Sequence, residues 1–144
     1  MSASTSDWRP FLRALAEEID AVAGVAGRDT LLHGVGSRMA ALYPVLPRDS
    51  AEGLSIEMNE ALASFGLGAV EITFSEAEHC LLLTHQGLPR VGGGGTPPGT
   101  WLAALLEGLF EGWMGQQPGA DATFAAHRAA SGAIDAIVVR YGPA

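Results

Sequence analysis

The glycine run Gly92 to Gly95 is the first place to look for chemistry, because successive backbone N–H groups ahead of a helix can cradle phosphate. The neighbouring residues do not complete such a site. No G-K-[ST] follows, no strand immediately precedes a G-x-G-x-x-G, and Pro97 and Pro98 stand before the next helix. The run reads as a loop. His33, His79, His85 and His127 form no metal set: His79 and His85 on one strand would lie about 20 Å apart, with Cys80 facing away from both. Cys80 sits in an apolar strand that should raise its thiol pKa, and no serine occupies a G-x-S-x-G elbow. Arg9 and Arg13 make half of a cyclic-dinucleotide pattern whose D-x-S-x-x-G half is missing, Asp49 and Ser50 being adjacent. The acid pairs Glu17/Glu18 and Glu107/Glu111 would need to face each other across a cleft to act on a glycosidic bond. Trp101 and Trp113 fall at helical spacing among leucines and read as core. Trp8, beside a polar tail, is free to stack on a sugar ring. These residues point away from an enzyme and imply no cofactor and no metal.

Composition narrows the classes further. Among 144 residues, 48% are apolar and only 17% charged, and 19 glycines are about twice the usual share. That leaves few charged side chains to cover one domain of this size, so part of the apolar surface is expected to be buried against other copies or another protein. All eight basic residues are arginine and sixteen acids outnumber them, for a net charge of -8. Such a chain repels phosphate backbones, which excludes nucleic acid as a partner. A single cysteine permits no internal disulfide. Met1 to Asp7 is small and polar, with no charged-then-apolar export signal, so the expected location is cytoplasmic. The uncharged stretch Val91 to Leu106 is broken by glycines and prolines, which argues against membrane insertion.

The elements that would position these residues follow from periodicity. Residues 1–7 read as a flexible tail and 8–144 as a single α+β domain. Asp7 can cap a helix carrying Trp8, Phe11, Leu15 and Val22, ended by Gly24 and Gly27. Asp29 can cap a second helix that runs to Leu42 before Pro44, and Asp49 with Glu52 opens a third through Leu54, Met58, Leu62 and Phe65. Period-two alternation marks a strand at Val70 to Phe74. The apolar run Cys80 to Thr84 reads as a central or covered strand joined to it by a hairpin. Gln86 to Gly99 is a long loop, Phe124 to His127 a further candidate strand, and Ile134 to Tyr141 a terminal one. The expected fold class is α+β with an antiparallel sheet.

The helix from Thr100 to about Gln116 stands out. Its apolar residues cover roughly 220° of the circumference against the ~100° stripe of a surface helix, so it must be buried on more than one side. The remaining arc holds Ala104, Gly108, Gly112 and Gly115, a line of small residues that admits another backbone closely. One reading is a central helix of a single core; the other is a helix sandwiched between its own core and a neighbouring copy, in which these residues, with Trp101, Phe110 and Trp113, are the candidate oligomer-interface residues. On that reading Gly112→Leu would lower the assembly state without unfolding the protomer.

Several blocks together resemble one family. F-L-R-A-L-A-E-E-I-D (11–20), L-L-x-x-V-G-x-x-M-A (31–40), E-M-N-E-A-L (57–62), L-P-R-V-G (88–92), P-x-G-T-W-L-A-x-L-L-E-G-L (97–109) and W-x-x-x-Q-P-G-A (113–120) are similar to the bacterial cellulose synthase D-subunit family, from about Trp8 to Tyr141. The resemblance implies a non-catalytic accessory component of the cellulose-secreting complex that forms a closed homo-octameric ring from dimers. In one family picture the ring conducts nascent β-1,4-glucan chains in the periplasm; carried over, this places Ser2, Ala3, Ser4, Thr5, Ser6, Asp7 and Trp8 at the glucan passage. In the other, cytoplasmic octamers and a proline-rich accessory protein align the synthases. Small acidic type III secretion chaperones, which bind an extended partner segment, fit the same size and composition and form the alternative. A mass measurement separates the two.

Overall fold

The computed structural model describes residues 8–89, 100–129 and 136–143. Their element order is α1 (Arg9–Leu42), α2 (Ala51–Phe65), β1 (Ala69–Ser75), β2 (Cys80–Gln86), a 3-10 turn (Thr100–Leu102), α3 (Ala103–Gly115), β3 (Phe124–Ala129) and β4 (Ala136–Pro143). The strands form one antiparallel sheet in the order β1-β2-β4-β3. The α+β class and all four strands agree with the sequence reading, and β2 is central. The glycine loop at 92–95 lies outside the described residues.

The two helices expected before Pro44 are present but follow each other without a linker in α1, the break falling at Gly24, whose φ of 72° and ψ of 176° leave the helical region. A single residue suffices because glycine reaches positive φ without a Cβ clash. Asp29 therefore caps nothing: it lies inside α1 and pairs with Arg128 at 3.0 Å. Beyond the break Arg28 reaches back to both carboxylate oxygens of Asp20, at 3.0 and 3.2 Å. Ala16 and Leu32, from opposite sides of the break, share a small core with Trp101, Leu102, Ala104 and Leu105. The cap of α2 is also one residue later than expected. Ser50, not Asp49, holds an extended backbone, and its hydroxyl accepts from the Gly53 amide at 3.0 Å.

The main core lies between one sheet face and the pair α2 and α3, and it includes Met58, Leu62, Leu83, Leu109, Phe110, Trp113 and Val139. Antiparallel partners share a face, so Val70 with His85 and Ile72 with Leu83 point into this core. His85 is fully buried, its Nε2–H donating to the Leu67 carbonyl while Nδ1 has no partner. Burial pushes its pKa down, because the imidazolium would be charged in an apolar site.

The helix pair α1 and α3 meets at glycines. A Cβ at Gly36 would stand 2.6 Å from the Leu109 amide nitrogen, and one at Gly108 would stand 2.9 Å from the His33 carbonyl carbon. One at Gly112 would lie 2.5 Å from the Ala40 Cβ. At Gly36 and Gly108 the obstacle is backbone, which cannot step aside as a side chain can. Gly108→Ala is therefore expected to destabilise the protomer by about 1–3 kcal/mol through overpacking. Gly115→Ala, with nothing within 4 Å of its added Cβ, should leave stability level or raise it by up to about 1 kcal/mol. Urea unfolding of the two variants checks the contrast. For His85, the folded state resists a proton that the unfolded chain binds near pH 6.5. Stability should then fall as pH drops below that value, by at most about 1.4 kcal/mol per pH unit. His85→Gln should flatten this dependence in urea titrations between pH 5 and 7.

Candidate assembly surface

The sequence allows two readings of α3, a helix of one core or a helix shared with a neighbouring copy, and the structure fills the small-residue arc from within. Ala104 is buried, and Gly108 and Gly112 pack on His33, Ser37 and Ala40 of α1. Trp101, Phe110 and Trp113 are buried in the two cores, the last two fully. Only Gly115 is exposed. A helix apolar on two sides needs two partners, and both belong to the same chain: the sheet with α2, and α1. The close approach expected of a second copy is intramolecular, so Gly112→Leu would strike the protomer first.

The C-terminal turn of α3 also serves internal ends. The Trp113 indole donates to the Tyr43 carbonyl at 2.9 Å. Gln116 donates to the Ala40 carbonyl at 2.7 Å and accepts from the Val45 amide at 3.3 Å. Gln117 accepts from the Arg48 amide at 3.0 Å and donates to the Leu46 carbonyl at 3.4 Å. Two side-chain amides thus satisfy the backbone of the loop after α1, where Pro44 and Pro47 prevent regular structure. The W-x-x-Q-Q spacing has a structural cause.

Glu107 and Glu111 have a use that sequence did not disclose. All of β3 is in register with β4, but antiparallel amides alternate in direction, and those of 124, 126 and 128 turn outward. The Ala126 amide donates to Glu111 at 3.1 Å and the Arg128 amide to Glu107 at 2.7 Å, while the Phe124 amide donates to the Asp121 carbonyl at 3.1 Å. Acids one turn apart on α3 match alternate amides on the strand, which closes this sheet edge. Their repulsion is relieved by Arg128, whose guanidinium also meets Glu107, and His33 Nε2 lies 3.3 Å from Glu111. The recess of about 350 Å³ beside them, lined by Asp29, Thr30, His33 and Glu107, is thus rimmed by charges already engaged. Among the described residues no group of three His, Cys, Asp or Glu could hold a metal ion. Cys80 is buried, and burial is the main cause that pushes its thiol pKa up.

With α3 enclosed, most of the exposed large apolar side chains among the described residues lie on α1. Trp8 is 63% exposed and packs edge-on to Phe11 at 5.9 Å. Phe11, Leu15 and Val22 continue a stripe at three-, four- and seven-residue steps. Past Gly24, Leu31, Val35 and Leu42 make a second stripe on the side away from α3. Ser2 to Asp7 lie outside the described residues. No described helix is long and apolar enough to cross a membrane, so these stripes are not a span.

A small, acidic α+β protomer with an enclosed central helix and an apolar outer helix face is the class that this geometry defines. The chain belongs to the family of the cellulose synthase D subunit, whose model matches residues 1–142. It is 41% identical over 114 residues to cellulose synthase operon protein D of Komagataeibacter xylinus and to that of Komagataeibacter sucrofermentans, covering 79% of this chain and 73% of each relative. A further Komagataeibacter xylinus protein of that name is 43% identical over 115 residues, with the same coverage.

Removing both edge acids, as Glu107→Ala with Glu111→Ala, should cost about 1–3 kcal/mol, since each carboxylate satisfies a backbone donor. It should also promote association through the freed β3 edge. Thermal unfolding and time-resolved light scattering check the two effects.

Proposed function

We propose that this chain is a non-catalytic accessory component of the bacterial cellulose-synthesising machinery, assembled as a closed homo-octamer built from dimers that organises synthases, guides glucan chains, or does both. Family membership and the relatives' name, cellulose synthase operon protein D, support the role in cellulose synthesis. The observation that carries the assembly is the exposed apolar face of α1. Large side chains there, Val22 at 76% and Leu42 at 65% exposed among them, remain uncovered after both cores are complete. Burying them against other copies relieves the excess of apolar over charged residues at roughly 25 cal/mol per Å². The interface therefore runs along the outer face of α1, and α3 supports it from behind.

Other members of the complex, including a proline-rich accessory protein, are the partners of the ring on the cytoplasmic side in this reading. Trp8, exposed at the start of α1 and continuous with Ser2 to Asp7, supports a second role as a contact for β-1,4-glucan. Cello-oligosaccharides at millimolar concentration would then quench tryptophan fluorescence, an effect lost in Trp8→Ala because Trp101 and Trp113 are buried.

Light scattering should give eight times the 14.9 kDa chain. The pair Leu15→Glu with Val22→Glu should reduce that mass and retain the helical circular dichroism, whereas Ile56→Glu on α2 should leave it unchanged. A wild-type monomer or dimer would instead support the chaperone alternative. An octamer insensitive to the α1 pair would place the interface elsewhere.

A further inference from the structure

The two sheet edges are treated differently. On β3 every outward amide from 124 to 128 has a partner. On β1 the outward residues are Val70, Ile72 and Phe74, a parity fixed by Asn59 of α2. Its side chain accepts from the Val70 amide at 2.7 Å and donates to the Val70 carbonyl at 3.0 Å, away from β2. Asn59 thus stands in for one residue of a neighbouring strand. Past it, Ile72 and Phe74 turn both amides and both carbonyls outward, and among the described residues these groups meet no partner. Phe74 is 61% exposed on this bare edge, without the proline, lysine or bulge that usually protects one.

We propose that the β1 edge from Ile72 to Phe74 docks an extended segment of a partner protein by strand addition, the segment alternating apolar and basic residues. The backbone groups specify a strand, and the two faces of β1 specify its side chains. On the core side an added strand lies over Ile72 and Phe74, beside a recess of about 280 Å³ lined by Leu54, Ile72, Leu81 and Met114, with Arg48 and Asp49 at its rim. Apolar side chains fit there. On the opposite face the exposed Glu71 lies next to the edge, and the exposed Glu76 follows in the turn, on a chain of net charge -8. Basic side chains fit that face. This charge favours a basic segment over a second copy of the same acidic chain. The edge lies on the sheet, not on α1, so docking here does not depend on the proposed ring.

The test uses the full chain and a fluorescein-labelled heptapeptide of alternating arginine and valine, followed by anisotropy. Saturable binding is expected. Ile72→Pro removes an amide that pairs with nothing in the chain and should weaken binding at least about tenfold. Phe74→Lys, which leaves the backbone intact and sets a charge against the valines on the core side, should weaken it similarly and covers the case in which Ile72→Pro does not fold. Methylating alternate amide nitrogens of the peptide should abolish binding, and replacing its arginines by glutamates should weaken it. No saturable binding at millimolar peptide would overturn the proposal, as would binding indifferent to both substitutions and to methylation, which would be charge attraction alone. A loss of native mass in Ile72→Pro without any peptide binding would also overturn it, by giving the edge to a second copy.

Discussion

The backbone contact between α1 and α3 is the constraint on which the other features depend. Gly36 sits against Leu105 and Leu109, and Gly108 against His33 and Ser37, so the two helices approach more closely than any Cβ would allow. That distance brings His33 within 3.3 Å of Glu111 and places Ala40 beside Gln116. It also sets the end of α1 under the Trp113 indole. The glycines of α3 cost helix propensity of about 1 kcal/mol each relative to alanine. They are tolerated because the helix they weaken is the one enclosed on both sides, where packing outweighs propensity.

From the same contact follows the division of labour around the sheet. Held against α1, α3 presents Glu107 and Glu111 at the spacing of alternate β3 amides, and one edge is closed by charge-assisted hydrogen bonds. The other edge is covered by α2 only as far as Asn59 reaches. Among the described residues, and apart from a few single apolar side chains such as Ile56 and Leu46, the fold then leaves bare the outer face of α1 and a short length of β1. Both are apolar in a chain whose surface carries few charges for its size.

Much of this was legible in the residues, and the parts that were not share a physical reason. Period-two alternation found the strands because it depends on neighbours in sequence, and the apolar breadth of α3 announced two burial partners. The identity of the second partner was hidden. A line of small residues specifies a close approach but not from which chain it comes, and the approach here spans some seventy residues, from Gly36 to Gly108. Asp29 reads as a cap because Asp is a competent N-cap and it stands just past Gly24 and Gly27; its charge is instead used by Arg128, 99 residues away. Asp49 and Ser50 are both competent caps, and the extended backbone at Ser50 decided between them. The use of Glu107 and Glu111 is hidden in the sequence because β3, whose amides they accept from, lies fifteen to twenty-one residues further on. His85 gave no sign of burial because alternation assigns a face but not how deeply that face is covered.

The central claim is that α3 is spent inside the protomer and that the outer face of α1 is what the assembled protein covers. Thiol labelling tests it most directly. In a Cys80→Ser background, Val22→Cys and Ile56→Cys place thiols at positions that are 76% and 56% exposed in the protomer. In the particle at its native mass, a maleimide should modify the residue 56 thiol quickly and the residue 22 thiol slowly, with the difference vanishing on dilution to protomers. Equal, fast labelling of both in an intact octamer would contradict the account.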